Sequence, residues 1–236
     1  MNYENWIIKN KILSSEKVAS IREEVKNYIE SELTLAYQAA PLIPNALEES
    51  AAIYASRDFA HDIPVFDNTT KELAGPDKKF IAAISEALRQ SMKKHENLVL
   101  MGQDIAQYGG AFKVTEGFIN EFGKERVRNT PLCESAIVGA ALGMSLEGFK
   151  VMMEMQFADF VTVGFNQIIN NLAKIHYRWG QKAEVVIRMP TGGGVGAGPF
   201  HSQSNEAWFV HTPGLKVVYP STPADAKGLL IAAIND

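Results

Sequence analysis

A single cysteine, Cys133, stands in the 236 residues, so no intrachain disulfide braces the fold, and a lone thiol fits a reducing compartment. No run of apolar residues approaches the ~18 needed for a membrane-spanning helix. The opening Met1–Ile8 lacks the cationic stretch leading into an apolar core that marks a secretory leader. The expected location is the cytoplasm. Basic runs are missing too: 23 Lys and Arg are scattered singly against 27 Asp and Glu, for a formal charge of −4. That balance gives no electrostatic footprint for nucleic acid or an anionic membrane. There is no His/Cys cluster with zinc spacing, no internal repeat and no low-complexity tract. What remains is an ordinary soluble composition, 46% hydrophobic, enough for a substantial core in one large or two small domains.

Three parts differ in pattern. In residues 1–40, Val18, Ile21, Val25, Ile29, Leu33 and Ala36 recur at helical spacing, Ser14 or Ser15 offers an N-cap and Pro41 ends the run, which predicts an amphipathic helix over 14–40. Trp6–Asn10 reads as an earlier short turn. Residues 41–78, with Pro41, Pro44, Pro64, Gly75 and Pro76 among isolated apolar residues such as Phe59, Val65 and Phe66, read as a linker that packs in places. From Lys79 to Asp236 helical and short apolar segments alternate, the pattern of an α/β domain with a parallel sheet flanked by helices. Strands are expected at Asn97–Met101, Lys150–Met155, Glu184–Met189 and Leu215–Tyr219. Helices are expected near 80–88 and at Glu134–Glu147, Ala158–Trp179, Asn205–His211 and Pro223–Ile234. In such sheets ligands collect at the carboxyl ends of the strands, where Gly102–Asp104, Gln156–Phe160 and the glycine-rich stretch before His201 all fall.

Thr130-Pro131-Leu132-Cys133-Glu134, followed by the small apolar run Ser135–Met144, sets one carboxylate at the mouth of an otherwise apolar helix. Two readings fit Glu134. It serves the helix alone, meeting the positive end of the dipole for ~0.3–1 kcal/mol, or it serves chemistry that needs an acid in apolar surroundings. Cys133 reads as a small buried thiol filling the turn rather than a nucleophile. Gly192-Gly193-Gly194-Val195-Gly196-Ala197 satisfies a relaxed dinucleotide pattern. Pro199 and the polar Gln203-Ser204 delay any helix, however, and no acid follows at the ribose spacing, so a loop framing a channel is the better account. His176 and His211 read as structural.

In order and spacing, "TPLCE" (130–134), "QFADF" (156–160) and "HSQS" (201–204) after the glycine run resemble the pyrimidine-binding, transketolase-like domain of the beta subunit of thiamine-diphosphate-dependent 2-oxoacid dehydrogenases. The wording of the first two is closer to the branched-chain, 2-oxoisovalerate type than to the pyruvate type. The resemblance covers about Lys79–Asp236. More weakly, residues 1–40 are similar to the last helices of the alpha subunit, which implies an alpha–beta fusion. The resemblance implies that Glu134 relays a proton at N1′ of the aminopyrimidine, apolar surroundings favouring the form that holds a proton. Leu132, Gln156 and Phe160 would line the aminopyrimidine pocket, with Phe160 standing where many branched-chain relatives have tyrosine. His201 would assist proton transfer as the acyl group passes to lipoyl, a task suited to imidazole. Phe160 as core, Gln156 as a helix cap and His201 as a loop residue bonded to Ser202 or Ser204 remain the plain alternatives. Magnesium and the diphosphate would belong to the alpha part. A structural potassium ion would take backbone carbonyls around Val185, Val186 and Ala233–Asp236. Implied partners are that alpha part, a second alpha–beta unit and the lipoyl domain of a dihydrolipoyl acyltransferase. A transketolase-like or deoxyxylulose-phosphate-type synthase, and an assembly module inactive alone, are the competing readings.

Overall fold

The computed structural model describes residues 3–54 and 77–236. Pro64, Gly75, Pro76, Phe59, Val65 and Phe66, on which much of the linker reading rested, lie outside the described residues. Two compact units are present, residues 1–46 and 47–236.

In the first unit α1 (Tyr3–Lys9) precedes α2 (Ser15–Gln38). Ser14 caps α2, its hydroxyl accepting from the Lys17 amide at 3.2 Å and so serving one of the amides a helix start leaves open. The Arg22 guanidinium clasps the Glu4 carboxylate at 2.7 and 2.5 Å, tying the two helices. Ile21, Val25, Ile29 and Leu33 form the expected apolar stripe on α2, and all four are exposed.

α3 (Ala46–Ala52), a helix inside the stretch read as linker, starts at the last residue of the first unit and otherwise belongs to the second. The body of the second unit is a four-stranded, all-parallel sheet in the order β2-β1-β3-β4, with β1 Leu98–Gly102, β2 Val127–Asn129, β3 Lys150–Glu154 and β4 Val185–Arg188. Successive side chains point to opposite faces. Leu98, Leu100 and Met152 therefore join Leu88 and Met92 of α4 (Phe80–Lys94), Phe118 of α5 (Phe118–Phe122) and Ile234 of α10 (Pro223–Asn235) on one side. Met101, Val151 and Met153 join Ile137, Val138 and Ala141 of α6 (Glu134–Leu146) and Val161 of α7 (Val161–Asn166) on the other. Burial on both faces explains why β1 and β3 read as continuous apolar runs rather than alternating ones. Thr222 caps α10 by accepting from the Asp225 amide at 3.1 Å, with Pro223 in the first turn.

Four expectations are corrected. Leu215–Tyr219 forms no strand. The Leu215 carbonyl accepts from the Tyr54 hydroxyl at 3.2 Å, and its amide closes a turn onto Thr212. The fourth strand is instead β2, at the edge beyond β1, where only Val127 is apolar and buried. The single helix expected over Ala158–Trp179 is a 3₁₀ turn at Ala158–Phe160, then α7, then a wide π turn at Gln167–Leu172, then α8 (Ile175–Trp179). The widened turn carries amide-rich pairs, Asn170 to Asn166 at 2.8 Å and Asn171 to Gln167 at 2.6 Å. The helix expected at Asn205–His211 shrinks to α9 (Ala207–Val210), because the Asn205 side chain donates to the Ala158 carbonyl at 2.8 Å instead of extending it.

Arg126 joins the sheet to α4. Its guanidinium donates to the carbonyl of Leu98 in β1 at 3.0 Å and to those of Met92 at 2.7 Å and His95 at 2.6 Å, acceptors at the end of α4. Arg126→Met keeps the stem but removes the side-chain donor from all three carbonyls, leaving the His95 carbonyl with the Leu98 amide at 3.2 Å. It is expected to cost about 2–3 kcal/mol, read as a lower urea midpoint at unchanged slope.

Candidate active site

The site starts where β1 ends. Gly102 is pinned there, since a Cβ would stand 2.8 Å from the Glu154 carbonyl of β3. The next residue, Gln103, is turned inward and only 6% exposed. Its amide Nε2 donates to the Glu134 carboxylate Oε1 at 3.2 Å. Glu134 is the first residue of α6 and 7% exposed, an acid taken almost wholly out of water. Around the pair are acceptors and donors with no hydrogen-bond partner, the buried Gln103 Oε1 and Thr130 Oγ1. Thr130 is held beside the strand end by its amide, which donates to the Gly102 carbonyl at 2.9 Å. Orphaned buried polar atoms around one carboxyl fit a planar, multi-nitrogen guest, because each would regain a partner on binding.

Cys133 is exposed, correcting the buried reading. It is the residue preceding α6, with φ −156° and ψ 76° and no side-chain cap, so Pro131, Leu132 and Cys133 form an outer lip while Glu134 turns in. Leu132 on that lip is 78% exposed.

Beyond β3 the chain turns through Gln156, which donates to Asp104 Oδ2 at 3.2 Å rather than capping a helix. The rings of Phe157 and Phe160 then flank His201 edge-on, with centroids 4.8 and 5.3 Å away and planes at 87° and 85°. Phe112 packs edge-on against Phe157 at 5.5 Å. The His201 ring is half-buried, and its Nδ1 is buried with no hydrogen-bond partner, so the link to Ser202 or Ser204 does not form. Between the phenylalanines Asp159 is buried and accepts the main-chain amides of Ser202 and Gln203. At the ends of β3 and β4, Glu154, 2% exposed, is paired with Arg188 at 2.7 and 3.1 Å.

The fold thus brings two groups to one sheet edge, Glu134 with Gln103 and His201 with Phe157 and Phe160. The family described as "Transketolase, pyrimidine binding domain" matches residues 77–236. The chain belongs to that family. Among its relatives are 2-oxoisovalerate dehydrogenase subunit beta of Bacillus subtilis, 48% identical over 161 residues, 66% of this chain and 49% of that protein. Pyruvate dehydrogenase E1 component subunit beta of the same organism is 48% identical over 158 residues, 66% of this chain and 49% of that one. A solved chain described as a split-gene transketolase, an inactive beta4 tetramer, superposes with a TM-score of 0.52 at 21% identity, over 66% of this chain and 48% of the other. The chain spans about half the length of the curated relatives it matches.

In this pyrimidine-binding domain the remaining residues of interest lie elsewhere. Val186 and Ala233 line one apolar cavity of about 470 Å³, between β4 and α10. Val185 pairs with Val151 in the sheet. The Asp236 carboxylate is held by the Lys216 ammonium at 2.6 Å. Among the described residues, no group of three or more His, Cys, Asp or Glu is placed to hold a metal ion, and no helix is long and apolar enough to cross a membrane. Gln103 and Asp159 fall in stretches the sequence sets at strand ends, 102–104 and 156–160, but no role is expected of either. Their signal is the same, a polar residue at or just beyond the end of an apolar strand.

α7 presses on α6 through Gly164, where a Cβ would lie 3.1 Å from Val138 Cγ2 and 3.4 Å from the Glu134 carbonyl. Gly164→Ala should be tolerated with a small loss. Gly164→Val should overpack the seam by about 1–3 kcal/mol, lowering the melting temperature by several degrees.

Proposed function

We propose that this chain supplies the pyrimidine-binding half of a thiamine-diphosphate-dependent 2-oxoacid dehydrogenase, decarboxylating a branched-chain 2-oxoacid and passing the acyl group to lipoyl. The observation that carries the reading is Glu134, an acid held out of water at the start of α6 beside Gln103. Relatives named as 2-oxoisovalerate and pyruvate dehydrogenase beta subunits support the reaction class equally, at 48% identity each. The branched-chain choice rests on the wording of 130–134 and 156–160, and pyruvate is the alternative substrate.

The residues present fit the aminopyrimidine end of the cofactor. Glu134 would hold and return a proton at N1′. Gln103 keeps that carboxyl oriented, while its own orphaned Oε1 and Thr130 Oγ1 offer further polar contacts. Phe160 and Leu132 would offer apolar surface to the ring, Leu132 from the exposed lip, and Gln156 closes the rim through Asp104. The chemistry such a cofactor supplies is a nucleophilic carbon and a sink for the electrons released with carbon dioxide. His201, at the aromatic rim, would move a proton during transfer to lipoyl. In this reading an alpha part holds magnesium and the diphosphate, the helical unit of residues 1–46 is its fused end, two alpha–beta units pair, and the lipoyl domain of a dihydrolipoyl acyltransferase docks. A sugar-phosphate synthase is disfavoured, because phosphorylated substrates call for basic residues that the 130–134 lip does not carry.

The test is thiamine-dependent dye reduction by the chain joined with its alpha part, given 3-methyl-2-oxobutanoate or pyruvate. The chain alone is expected to be inactive. In the assembled enzyme Glu134→Gln should lower turnover by ~100-fold or more with little change in melting temperature. Preferred pyruvate would move the substrate, and an unaffected mutant would return Glu134 to a helix-end charge.

A further inference from the structure

Asp159 is buried to 7% exposure inside an aromatic corner, a costly position for a carboxylate unless hydrogen bonds hold it there. Its Oδ1 accepts two main-chain amides, those of Ser202 and Gln203, each at 3.2 Å. Both donors follow His201 directly in the chain. The 3₁₀ turn that carries Asp159 is flanked by Phe157 and ends in Phe160, the two rings that hold the imidazole. Further bonds tie the same turn to the same loop. The Ala158 amide donates to the Pro190 carbonyl at 2.8 Å where the loop begins, and the Asn205 side chain donates to the Ala158 carbonyl at 2.8 Å where it ends. Within the loop, Gly192 N and Thr191 Oγ1 both donate to the Gln203 carbonyl, at 3.0 and 2.7 Å, closing its neck. Gly193–Phe200 stand exposed beyond that neck.

We infer that Asp159 is a positioning residue for His201, a clamp that fixes the neck of the 190–205 loop so that the imidazole stays lodged between Phe157 and Phe160. Ring-edge contacts alone let the loop slide along the aromatic corner. Two amides converging on one oxygen set its register, because only one residue spacing places both N–H groups on Oδ1. The remaining oxygen, Oδ2, is buried without a hydrogen-bond partner, so the carboxylate is held through the loop's backbone. A neutral acceptor of the same shape should do the same work. The consequence for lipoyl acylation rests on the proposed role of His201, whereas the clamp itself does not.

The test uses the chain assembled with its alpha part, comparing wild type, Asp159→Asn and Asp159→Ala. Diethyl pyrocarbonate is the probe, with modification of His201 followed by peptide mass spectrometry and His95 and His211 as internal references. Asp159→Ala should be modified at His201 at least about threefold faster, as the neck opens locally, and Asp159→Asn should behave as wild type. In the same samples, the ratio of lipoyl acylation to dye reduction should fall roughly tenfold in Asp159→Ala and be rescued in Asp159→Asn. Faster modification with an unchanged ratio would uphold the clamp and remove His201 from the transfer step. Unchanged modification in a folded Asp159→Ala protein would overturn the clamp. If that variant fails to fold, Gln203→Pro deletes one of the two donated amides while leaving Asp159 in place, and it faces the same two outcomes.

Discussion

The buried polar groups of the candidate site are gathered by one constraint, the flush carboxyl edge of a parallel sheet. Gly102 opposes both Asn129 and Glu154, and the absent Cβ lets the ends of β1 and β3 meet at van der Waals distance. Because the strands run in parallel, the residues that leave them emerge side by side. Gln103 follows β1, Thr130 follows β2, Gln156 follows β3 and Pro190 opens the loop after β4. Helices then cover both faces, so the groups at the edge are withdrawn from water and must find partners among themselves. Gln103 meets Glu134, Arg188 meets Glu154 and Asp159 meets two loop amides. The Glu154–Arg188 pair gains little net stability over an apolar pair, since desolvation offsets the attraction. What it does is bind β3 to β4 at the level where the site begins.

Such a division of labour makes the sheet readable from the sequence and the edge much less so. Val99–Met101 and Val151–Met153 announce strands because burial on both faces demands continuous apolar runs. β2 does not, because in an edge strand of three residues only Val127 is buried, while Arg128 and Asn129 are exposed. Leu215–Tyr219 has the composition of a strand, yet a hydroxyl 161 residues away in sequence takes the Leu215 carbonyl, and no local pattern contains that contact. The same holds for Cys133. As a small thiol in a tight turn it reads as buried, but the turn into α6 sends 131–133 outward so that Glu134 can point in.

Motifs mark Glu134 and His201, but the groups that hold them sit far away in the chain. Gln103 lies 31 residues from Glu134, and Asp159 lies 43 and 44 residues from the amides it accepts. Spacings of that length carry no periodicity. What a sequence does carry is the cost of the arrangement, seen as a polar residue placed at the end of an apolar strand, and Gln103 and Gln156 both bear that mark.

Magnitude bears on the two readings of Glu134. A carboxylate in the first turn of a helix stabilises it by about 0.3–1 kcal/mol, and an exposed position delivers that benefit in full. Withdrawing an ionised carboxylate from water costs several kcal/mol unless charge-assisted hydrogen bonds replace the lost hydration. Glu134 receives one side-chain hydrogen bond, from a neutral amide at 3.2 Å. The dipole term is therefore too small to account for the position, and α6 would be better served by an acid on the solvent side of its first turn. A folded protein tolerates such a deficit where a guest restores the balance. The unpaired Gln103 Oε1 and Thr130 Oγ1 beside the carboxyl are the further polar groups such a guest would satisfy.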